Sequence, residues 1–343
     1  MSVALVTGSS GFVGTRLVTA LLAEGAKVAG VDRVIPGASG QERRTPSLFF
    51  QGDVGNPALI ADVLARVQPT DIFHFAGMLS QTAGDSTTQY EAHVRSTVCL
   101  LDAIRAAKQD PWILVASSSA VYGATSPPEN PLGEDRPLRP LNHYAASKIA
   151  QEMVALQYFL AHQLRTVRVR SFNLIGPGQP SHLLVSDVVR QVAVVERAGG
   201  PMTVRIGNLF PRRDYTDVRD AVRAYLVLAR SGQPGEVYNV CTGRSYSVQD
   251  CVDTLARLIG KPVRVEVDQA RVRQCEITDQ VGAADRLRTA TGWQPTIPLE
   301  TSVLDLLAYW RKRLTSIPPP AADRREIAHG SRALGRSAAA TRP

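Results

Sequence analysis

The chain has 343 residues, 44% of them hydrophobic and 20% charged, which is enough material for one large or two medium domains with a buried core. No apolar run approaches the roughly 20 residues of a membrane-spanning helix, and the first apolar segment is too short and lacks the basic flank of a secretory signal. The net charge is +8, but no basic stripe interleaved with aromatic residues accompanies it. Composition therefore predicts no membrane association and gives no support for nucleic-acid binding.

The cysteines and histidines do not form a metal-binding pattern. Cys99, Cys241, Cys251 and Cys275 include no C-x-x-C pair, and the six histidines include no H-E-x-x-H sequence. We therefore expect reduced thiols, as in a cytoplasmic protein, rather than a disulfide framework or a zinc site. A cytoplasmic location and the absence of a metal are the corresponding predictions.

Short apolar runs alternate with longer helical patterns through the first half of the chain. The runs, which predict six strands, are residues 3–7, 26–32, 47–54, 70–77, 112–119 and 165–173. Strands that alternate with helices indicate an α/β fold, in which a doubly wound parallel sheet is covered by helices on both faces. A later run, residues 234–241, has the pattern of a strand that returns to this sheet.

The character of the sequence changes after residue 172, and this change predicts the domain boundaries. Residues 1–172 would form the sheet domain, with returning segments around 214–242. Residues 173–314 are looser and richer in proline and glycine, which predicts a smaller α/β domain that binds substrate. Residues 315–343 carry five arginines against two acidic residues and few large apolar residues, so we expect a disordered basic tail.

A glycine-rich turn follows the first predicted strand. Residues 7–14 read Thr-Gly-Ser-Ser-Gly-Phe-Val-Gly, with glycines at 8, 11 and 14. Glycines at this spacing, between a strand and a helix, permit a tight turn, a close approach of the backbone to a pyrophosphate and close packing of the helix on the strand. The N–H groups at the start of that helix can then bind the phosphates. The turn predicts a Rossmann-type domain that binds a dinucleotide.

Acidic residues at the ends of the second and third predicted strands bear on which dinucleotide is bound. Asp32 lies about twenty residues after the turn, where a carboxylate accepts hydrogen bonds from the ribose hydroxyls and repels a 2′-phosphate, which favours NAD(H). Its neighbour Arg33 could pair with that phosphate, so NADP(H) stays as the alternative. Asp53 and Val54 could bracket the adenine. The candidate cofactor-binding residues are Gly8, Ser10, Gly11, Phe12, Val13, Gly14, Asp32, Arg33, Asp53, Val54, Phe75, Ala76, Gly77, Tyr144 and Lys148.

Hydroxyl groups and a lysine converge at one edge of the predicted sheet. The fifth strand ends in Ser117, Ser118 and Ser119, at the carboxyl edge where open α/β sheets bind their ligands. The following helix begins with Tyr-Ala-Ala-Ser-Lys, in which Tyr144 and Lys148 are four residues apart and so leave the same face of a helix. A serine, a phenol and an ammonium in one crevice suit acid–base chemistry.

These features together resemble an extended short-chain dehydrogenase/reductase of the nucleotide-sugar epimerase/dehydratase type, over about residues 2–314. The resemblance implies that Ser118, Tyr144 and Lys148 are the catalytic residues. In the reductive direction a reduced nicotinamide would give a hydride to a ketone carbon, Tyr144 would give a proton to the oxygen, and Ser118 would orient that oxygen. Lys148 would bind the nicotinamide ribose and, together with an oxidised nicotinamide, lower the pKa of Tyr144.

One position departs from many members of this family, and one pair of residues departs from the related dehydratases. His93 stands where many members have an asparagine, so the role of that asparagine is not carried over to this chain. The related 4,6-dehydratases carry an Asp-Glu or Ser-Glu pair after their catalytic threonine, whereas Ser118 is followed by Ser119 and Ala120. Neither residue can act as the carboxylic acid of a dehydration, so ketone reduction or epimerisation at C4 is expected instead.

Segments of the second half resemble GDP-4-keto-6-deoxymannose reductases. These segments are residues 170–179, 205–220, 235–250 and 287–310. The substrate-binding residues that the resemblance implies are Ser80, Ser119, Asn173, Asn208, Arg213 and Arg273. Arginine suits a diphosphate because it makes bidentate contacts. We expect Asp214, Asp217 and Asp220 to be partners of nearby arginines or helix caps, and His182 to be a loop residue.

The leading hypothesis is an NAD(P)H-dependent reductase that converts GDP-4-keto-6-deoxy-D-mannose to GDP-D-rhamnose or its C4 epimer. One alternative is a nucleotide-sugar 4-epimerase with tightly bound NAD, and another, of a different class, is a non-catalytic sensor of NAD(P). The expected partner is a GDP-sugar or another nucleotide sugar. By resemblance, the helices at residues 90–107 and 144–163 would form the interface of a homodimer.

Overall fold

The computed structural model describes residues 2–37, 44–78, 86–272 and 277–315. Its centre is a sheet of seven parallel strands. These strands are β1 (Val3–Thr7), β2 (Lys27–Asp32), β3 (Leu48–Gln51), β4 (Asp71–His74), β5 (Trp112–Ser118), β6 (Arg165–Ser171) and, later in the chain, β10 (Val237–Val240). Their order across the sheet is β3–β2–β1–β4–β5–β6–β10. The winding reverses between β1 and β4, which is where open sheets of this kind bind ligands.

Helices cover both faces of this sheet. On one face lie α1 (Phe12–Ala23) and α7 (Val218–Ser231), and on the other lie α2 (Pro57–Val67), α4 (Ser96–Ala106) and α5 (His143–His162). Successive strand side chains alternate between the faces: Ala4 and Val6 enter the first core and Leu5 enters the second. Both cores need apolar residues, which explains the nearly continuous apolar runs of the strands. The predicted doubly wound α/β fold is confirmed.

One helix of the second face contains a wider turn. The helix α3 (Ser86–Tyr90) continues into a π-helical turn, Glu91–Arg95, and then into α4 without a break. Single π turns inside longer helices are uncommon and are frequent at functional sites. His93, the residue that departs from the family, lies at the middle of this turn and is fully buried.

The remaining elements build a second core. One small sheet contains β7 (Asn173–Ile175), β9 (Arg212–Asp217), β11 (Ser245–Ser247) and β13 (Asp279–Gln280), and a second contains β8 (Thr203–Ile206) and β12 (Arg264–Val267). The helices α6 (Leu184–Ala198), α8 (Val248–Ile259) and α10 (Leu299–Thr315) enclose this core, and the short α9 (Asp285–Thr291) packs against the first one. Thr315, the first residue of the expected tail, is the last residue of α10. The rest of that segment lies outside the described residues.

The helices, the possible metal ligands and the cysteines of the described residues bear on three of the sequence-based predictions. None of the helices in the four described ranges is long and apolar enough to cross a membrane. Within those ranges no group of three or more His, Cys, Asp or Glu side chains could hold a metal ion. Cys99, Cys241 and Cys251 are free thiols, and Cys275 lies outside the described residues.

Candidate active site

The turn after β1 has the shape that a bound pyrophosphate requires. Gly8 has a φ of +72°, and a Cβ there would lie 2.7 Å from the backbone of Phe75. A Cβ on Gly14 would lie 2.1 Å from the carbonyl oxygen of Gly8, so α1 packs closely on the turn. Gly11 precedes α1 and provides no side-chain cap, and the first turn of that helix holds no acidic residue. The first N–H groups of α1 can therefore bind an anion, and these residues fit a dinucleotide.

Asp32 joins this turn to the end of β2. Its Oδ2 accepts a hydrogen bond of 2.9 Å from the backbone N–H of Ser10, and its Oδ1 accepts one of 3.0 Å from that of Val34. The hydroxyl of Ser10 donates to the carbonyl of Val34 at 2.6 Å. A carboxylate has about four acceptor sites, so Asp32 still has capacity for ribose hydroxyls. Arg33 is exposed and approaches Asp53 at 3.9 Å.

The other predicted cofactor residues lie along the same edge of the sheet. Asp53 is exposed and accepts a hydrogen bond from the N–H of Gly55, whereas the side chain of Val54 is buried in the core and leaves only its backbone for a ligand. The ring of Phe75 packs against that of Tyr225 at 5.0 Å. The N–H of Ala76 donates to Oγ1 of Thr7 at 3.2 Å, which fixes the chain after β4.

Ser118, Tyr144 and Lys148 lie at the carboxyl edge of β5. Ser118 is the last residue of β5 and accepts a hydrogen bond of 3.2 Å from the N–H of Ala120. Tyr144 lies in the first turn of α5, with its phenol near the side chain of Ser118. The ammonium of Lys148, one turn later, donates to the carbonyl of Ala116 at 2.8 Å and to Oε1 of Gln151 at 2.9 Å.

Burial is the main cause of the pKa shifts of Tyr144 and Lys148. Burial raises the pKa of Tyr144, and its hydrogen bond with Ser118 opposes that shift. Burial lowers the pKa of Lys148 to about 7, against the opposing charge of Glu152. The pKa of Tyr144 is therefore raised in the protein without cofactor, and the expected lowering by Lys148 together with an oxidised nicotinamide stays a prediction for the complex. The phenol stays protonated at neutral pH.

A buried polar chain behind Lys148 was not predicted. The amide nitrogen of Gln151 donates to Oγ1 of Thr97 at 2.8 Å, which also lies 2.9 Å from Nε2 of His74. The other ring nitrogen of His74 lies 2.8 Å from Oγ1 of Thr7. Two sequence signals could have revealed it: Gln151 is three residues after Lys148 on the same helix face, and His74 ends an apolar strand at the ligand-binding edge.

The predicted substrate-binding residues lie on separate elements of the fold. The hydroxyl of Ser119 donates to Oε1 of Gln280 at 3.0 Å, so it connects β5 to the second core. Asn173 is exposed at the start of β7, and Asn208 lies in the loop after β8. The guanidinium of Arg213 donates to the carbonyl oxygens of Arg212 and Ile277.

The structure does not describe two of the predicted substrate-binding residues, and it gives the partners of the three aspartates. Ser80 and Arg273 lie outside the described residues. Asp217 caps α7 and pairs with Arg219, and Asp220 pairs with Arg223, as expected. The expectation is wrong for Asp214, because its buried carboxylate accepts hydrogen bonds from the hydroxyl and N–H of Thr242 and from backbone N–H groups of two glycines.

The fold and the site together define a class of protein. A doubly wound parallel sheet, a glycine turn after its first strand and a Ser–Tyr–Lys cluster at its carboxyl edge are those of the short-chain dehydrogenase/reductase type. Within this class the chain belongs to the family described as GDP-mannose 4,6 dehydratase, whose model matches residues 5–306. The predicted resemblance to the nucleotide-sugar epimerase/dehydratase group is confirmed.

Known proteins resemble the chain over nearly its whole length. It is 30% identical to a GDP-6-deoxy-D-mannose reductase of Pseudomonas aeruginosa over 311 residues, which are 90% of this chain and 97% of the relative. It is similar, at 29% identity and a TM-score of 0.81, to the structure of RMD from Pseudomonas aeruginosa complexed with NADPH, covering 91% of this chain and 100% of that one. It is also similar, at 26% identity and a TM-score of 0.79, to a Thermus thermophilus UDP-glucose 4-epimerase in complex with NAD, covering 90% of this chain and 98% of that one.

Proposed function

We propose that this protein is an NAD(P)H-dependent reductase of the C4 ketone of a GDP-4-keto-6-deoxyhexose. The substrate would be GDP-4-keto-6-deoxy-D-mannose and the product GDP-D-rhamnose or its C4 epimer. The observation that carries the proposal is a protonated tyrosine, Tyr144, near Ser118 and one helical turn before Lys148 at the ligand-binding edge. A ketone reductase needs a proton donor at that place. Similarity to a GDP-6-deoxy-D-mannose reductase over 90% of the chain supports the choice of sugar.

Different residues of the chain would provide the proton and position the reactants. A bound reduced nicotinamide would supply the hydride. Tyr144 holds a proton on its hydroxyl for the ketone oxygen, and Ser118 orients that oxygen through its own hydroxyl. The ammonium of Lys148 has three N–H groups, and two of them bond to Ala116 and Gln151. The third would hold the ribose of a bound nicotinamide.

The residues after Ser118 support reduction over dehydration. Ser119 and Ala120 carry no carboxylate, and the hydroxyl of Ser119 is engaged by Gln280. Elimination of water needs an acid and a base beside the sugar. The family includes dehydratases by its description, but this chain lacks their pair of residues at this position.

We assign the cofactor as NAD(H) in preference to NADP(H). The support is Asp32, whose carboxylate is held rigidly by the N–H groups of Ser10 and Val34 and would repel a 2′-phosphate. The related RMD structure contains NADPH and the related epimerase structure contains NAD, so neither choice follows from similarity.

Replacing Asp32 tests this assignment. In Asp32→Asn the negative charge is lost, so the ratio of kcat/KM for NADH to that for NADPH should fall on the order of tenfold. Steady-state kinetics with both cofactors measures that ratio. Asp62→Asn, an exposed carboxylate on α2, should leave it unchanged. An unchanged or increased ratio in Asp32→Asn would contradict the assignment.

Two alternatives remain as competing proposals. Similarity to a UDP-glucose 4-epimerase favours a nucleotide-sugar 4-epimerase with tightly bound NAD. A non-catalytic NAD(P) sensor would have no use for the cluster of Ser118, Tyr144 and Lys148, which argues against it. An epimerase would carry NAD through purification and consume none.

The remaining assignments concern the second core and the assembly. We propose that residues 173–314 form the domain that binds the nucleotide sugar and that the enzyme acts in the cytoplasm. We also propose a homodimer formed through α4 and α5. Its support is the exposure of Met153 and Leu160 on α5, the latter 65% exposed. A monomer in light scattering would overturn the dimer.

The test of the function is cofactor consumption. The keto-sugar is produced from GDP-mannose by a separate dehydratase, this protein is added with NADH or NADPH, and the loss of reduced nicotinamide is followed. We expect one cofactor oxidised for each sugar reduced, and NMR then gives the C4 configuration of the product. Epimerisation of a nucleotide sugar without cofactor consumption would overturn the reductase in favour of the epimerase. Absence of both reactions would contradict both enzymes.

A further inference from the structure

His93 makes a directed hydrogen bond to α5. Its Nδ1 lies 2.9 Å from Oγ of Ser147, and the hydroxyl of Ser147 donates its proton to the carbonyl of Tyr144 at 2.9 Å. The ring of His93 is thereby joined to the first turn of α5 through the hydroxyl of Ser147.

The opposite nitrogen of the ring contacts the chain after β4. Nε2 lies 3.1 Å from both the nitrogen and the carbonyl oxygen of Met78. A neutral ring carries hydrogen on one nitrogen only, so Nε2 either accepts from the N–H of Met78 or donates to its carbonyl oxygen, and in both cases it joins the ring to Met78. A Cβ on Gly77 would lie 2.8 Å from Nε2, so the ring leaves room only for glycine there.

The surroundings keep this ring neutral. Burial, followed by the nearby charge of Lys148, lowers the pKa of His93 to about 2, while the Met78 backbone opposes the shift. The ring stands edge-on to that of Tyr144, with centroids 5.5 Å apart and planes at 77°. The other titratable group facing it is His74 on β4, which is itself held neutral by burial, with a pKa of about 3.

We propose that His93 is a positioning residue that fixes the Gly77–Met78 backbone at a set distance from the first turn of α5, and thereby sets the place of the Tyr144 hydroxyl. The inference rests on the proposed function, in which Tyr144 is the proton donor and Gly77 lies beside the cofactor. The wide π turn is consistent with it, because it places the imidazole between the two segments. The shorter amide side chain of an asparagine could make only part of this connection.

The first test needs neither cofactor nor substrate. In the protein labelled with nitrogen-15 at histidine, NMR of the imidazole nitrogens should show that the ring of His93 is neutral and does not titrate across the neutral range. The signal is assigned by its absence in His93→Asn. A His93 ring that titrates near neutral pH would overturn the proposal whatever the enzyme's substrate is, because it would be exposed to water rather than held between the two segments.

The second test separates positioning from stability. In His93→Leu, which fills space without hydrogen bonds, we expect kcat to fall on the order of a hundredfold, with the Kd of the cofactor little changed. His93→Asn should recover part of this loss, and His162→Asn, at the far end of α5, should equal the wild type. Equal kcat in the Leu variant and the wild type, or in the Leu and Asn variants at equal Tm, would refute the proposal. Failure of the wild type to reduce the keto-sugar would instead count against the proposed function, and the NMR result would still stand.

Discussion

Tyr144→Phe should lower kcat by about a hundredfold to ten-thousandfold, the range that a positioned acid–base group contributes. Its phenol is the protonated group near Ser118 at the ligand-binding edge, and phenylalanine keeps the ring but has no proton to give. The ring contact with His93 at 5.5 Å can persist in the variant. Cofactor binding and the unfolding temperature should therefore stay close to those of the wild type.

A second tyrosine on the same helix gives a matched control. The hydroxyl of Tyr158 donates to Oδ1 of Asp102 at 2.7 Å, far from the cluster at the start of α5. Tyr158→Phe removes one hydrogen bond and should cost about 1 kcal/mol of folding free energy, with kcat retained. Equal kcat in Tyr144→Phe and the wild type would show that Tyr144 is not the proton donor.

The local sequence pattern was sufficient to predict most strands of the main sheet. The predicted strand at 70–77 ends earlier, at His74 in β4, because the chain there leaves the sheet to form the cofactor edge. The predicted strand at 165–173 divides into β6 and β7 because Asn173 pairs with β9 of the second core. Such divisions depend on which partner strand is near, and a local pattern carries no information about that.

Features of the candidate site that follow from the spacing of residues in the sequence could be predicted. Features that depend on the burial of side chains could be predicted less well. The spacing of Tyr144 and Lys148 was enough to place them on one helix face. The rise of the Tyr144 pKa in the protein without cofactor was not predictable, because it depends on how far the phenol is desolvated. Gln151 and His74 were missed for a related reason: their roles depend on Thr97, which lies on a different helix and brings them together.

A buried ion pair connects the stability of the fold to the position of the site. Glu152 lies one helical turn after Lys148, and its side chain is fully buried, as is nearly all of that of Arg170 on β6. Arg170 donates to Glu152 through Nε at 3.0 Å and Nη2 at 2.8 Å. Ser117, the neighbour of Ser118, also donates to Glu152. The pair therefore fixes α5 against β5 and β6, and with them the catalytic cluster.

Glu152→Ala should lower the free energy of unfolding by about 3–5 kcal/mol, because it leaves the guanidinium of Arg170 buried and unpaired. Urea denaturation measures the loss. Arg170 also donates to the carbonyl of Glu134 and lies over the ring of Tyr122 at 5.1 Å, so it cannot easily turn towards water. If Glu152→Ala does not fold, Glu152→Gln keeps the volume and should show a smaller loss.

The exposed pair of Arg66 and Asp62 on α2, at 3.2 Å, is the control. Asp62→Ala should cost less than about 1 kcal/mol, since both side chains stay hydrated. Combining Glu152→Ala with Arg170→Met should cost less than the sum of the two single changes, because the double variant contains no unpaired buried charge. A loss in Glu152→Ala no larger than that in Asp62→Ala would mean that water reaches Arg170. The position of α5 would then depend on its apolar contacts alone.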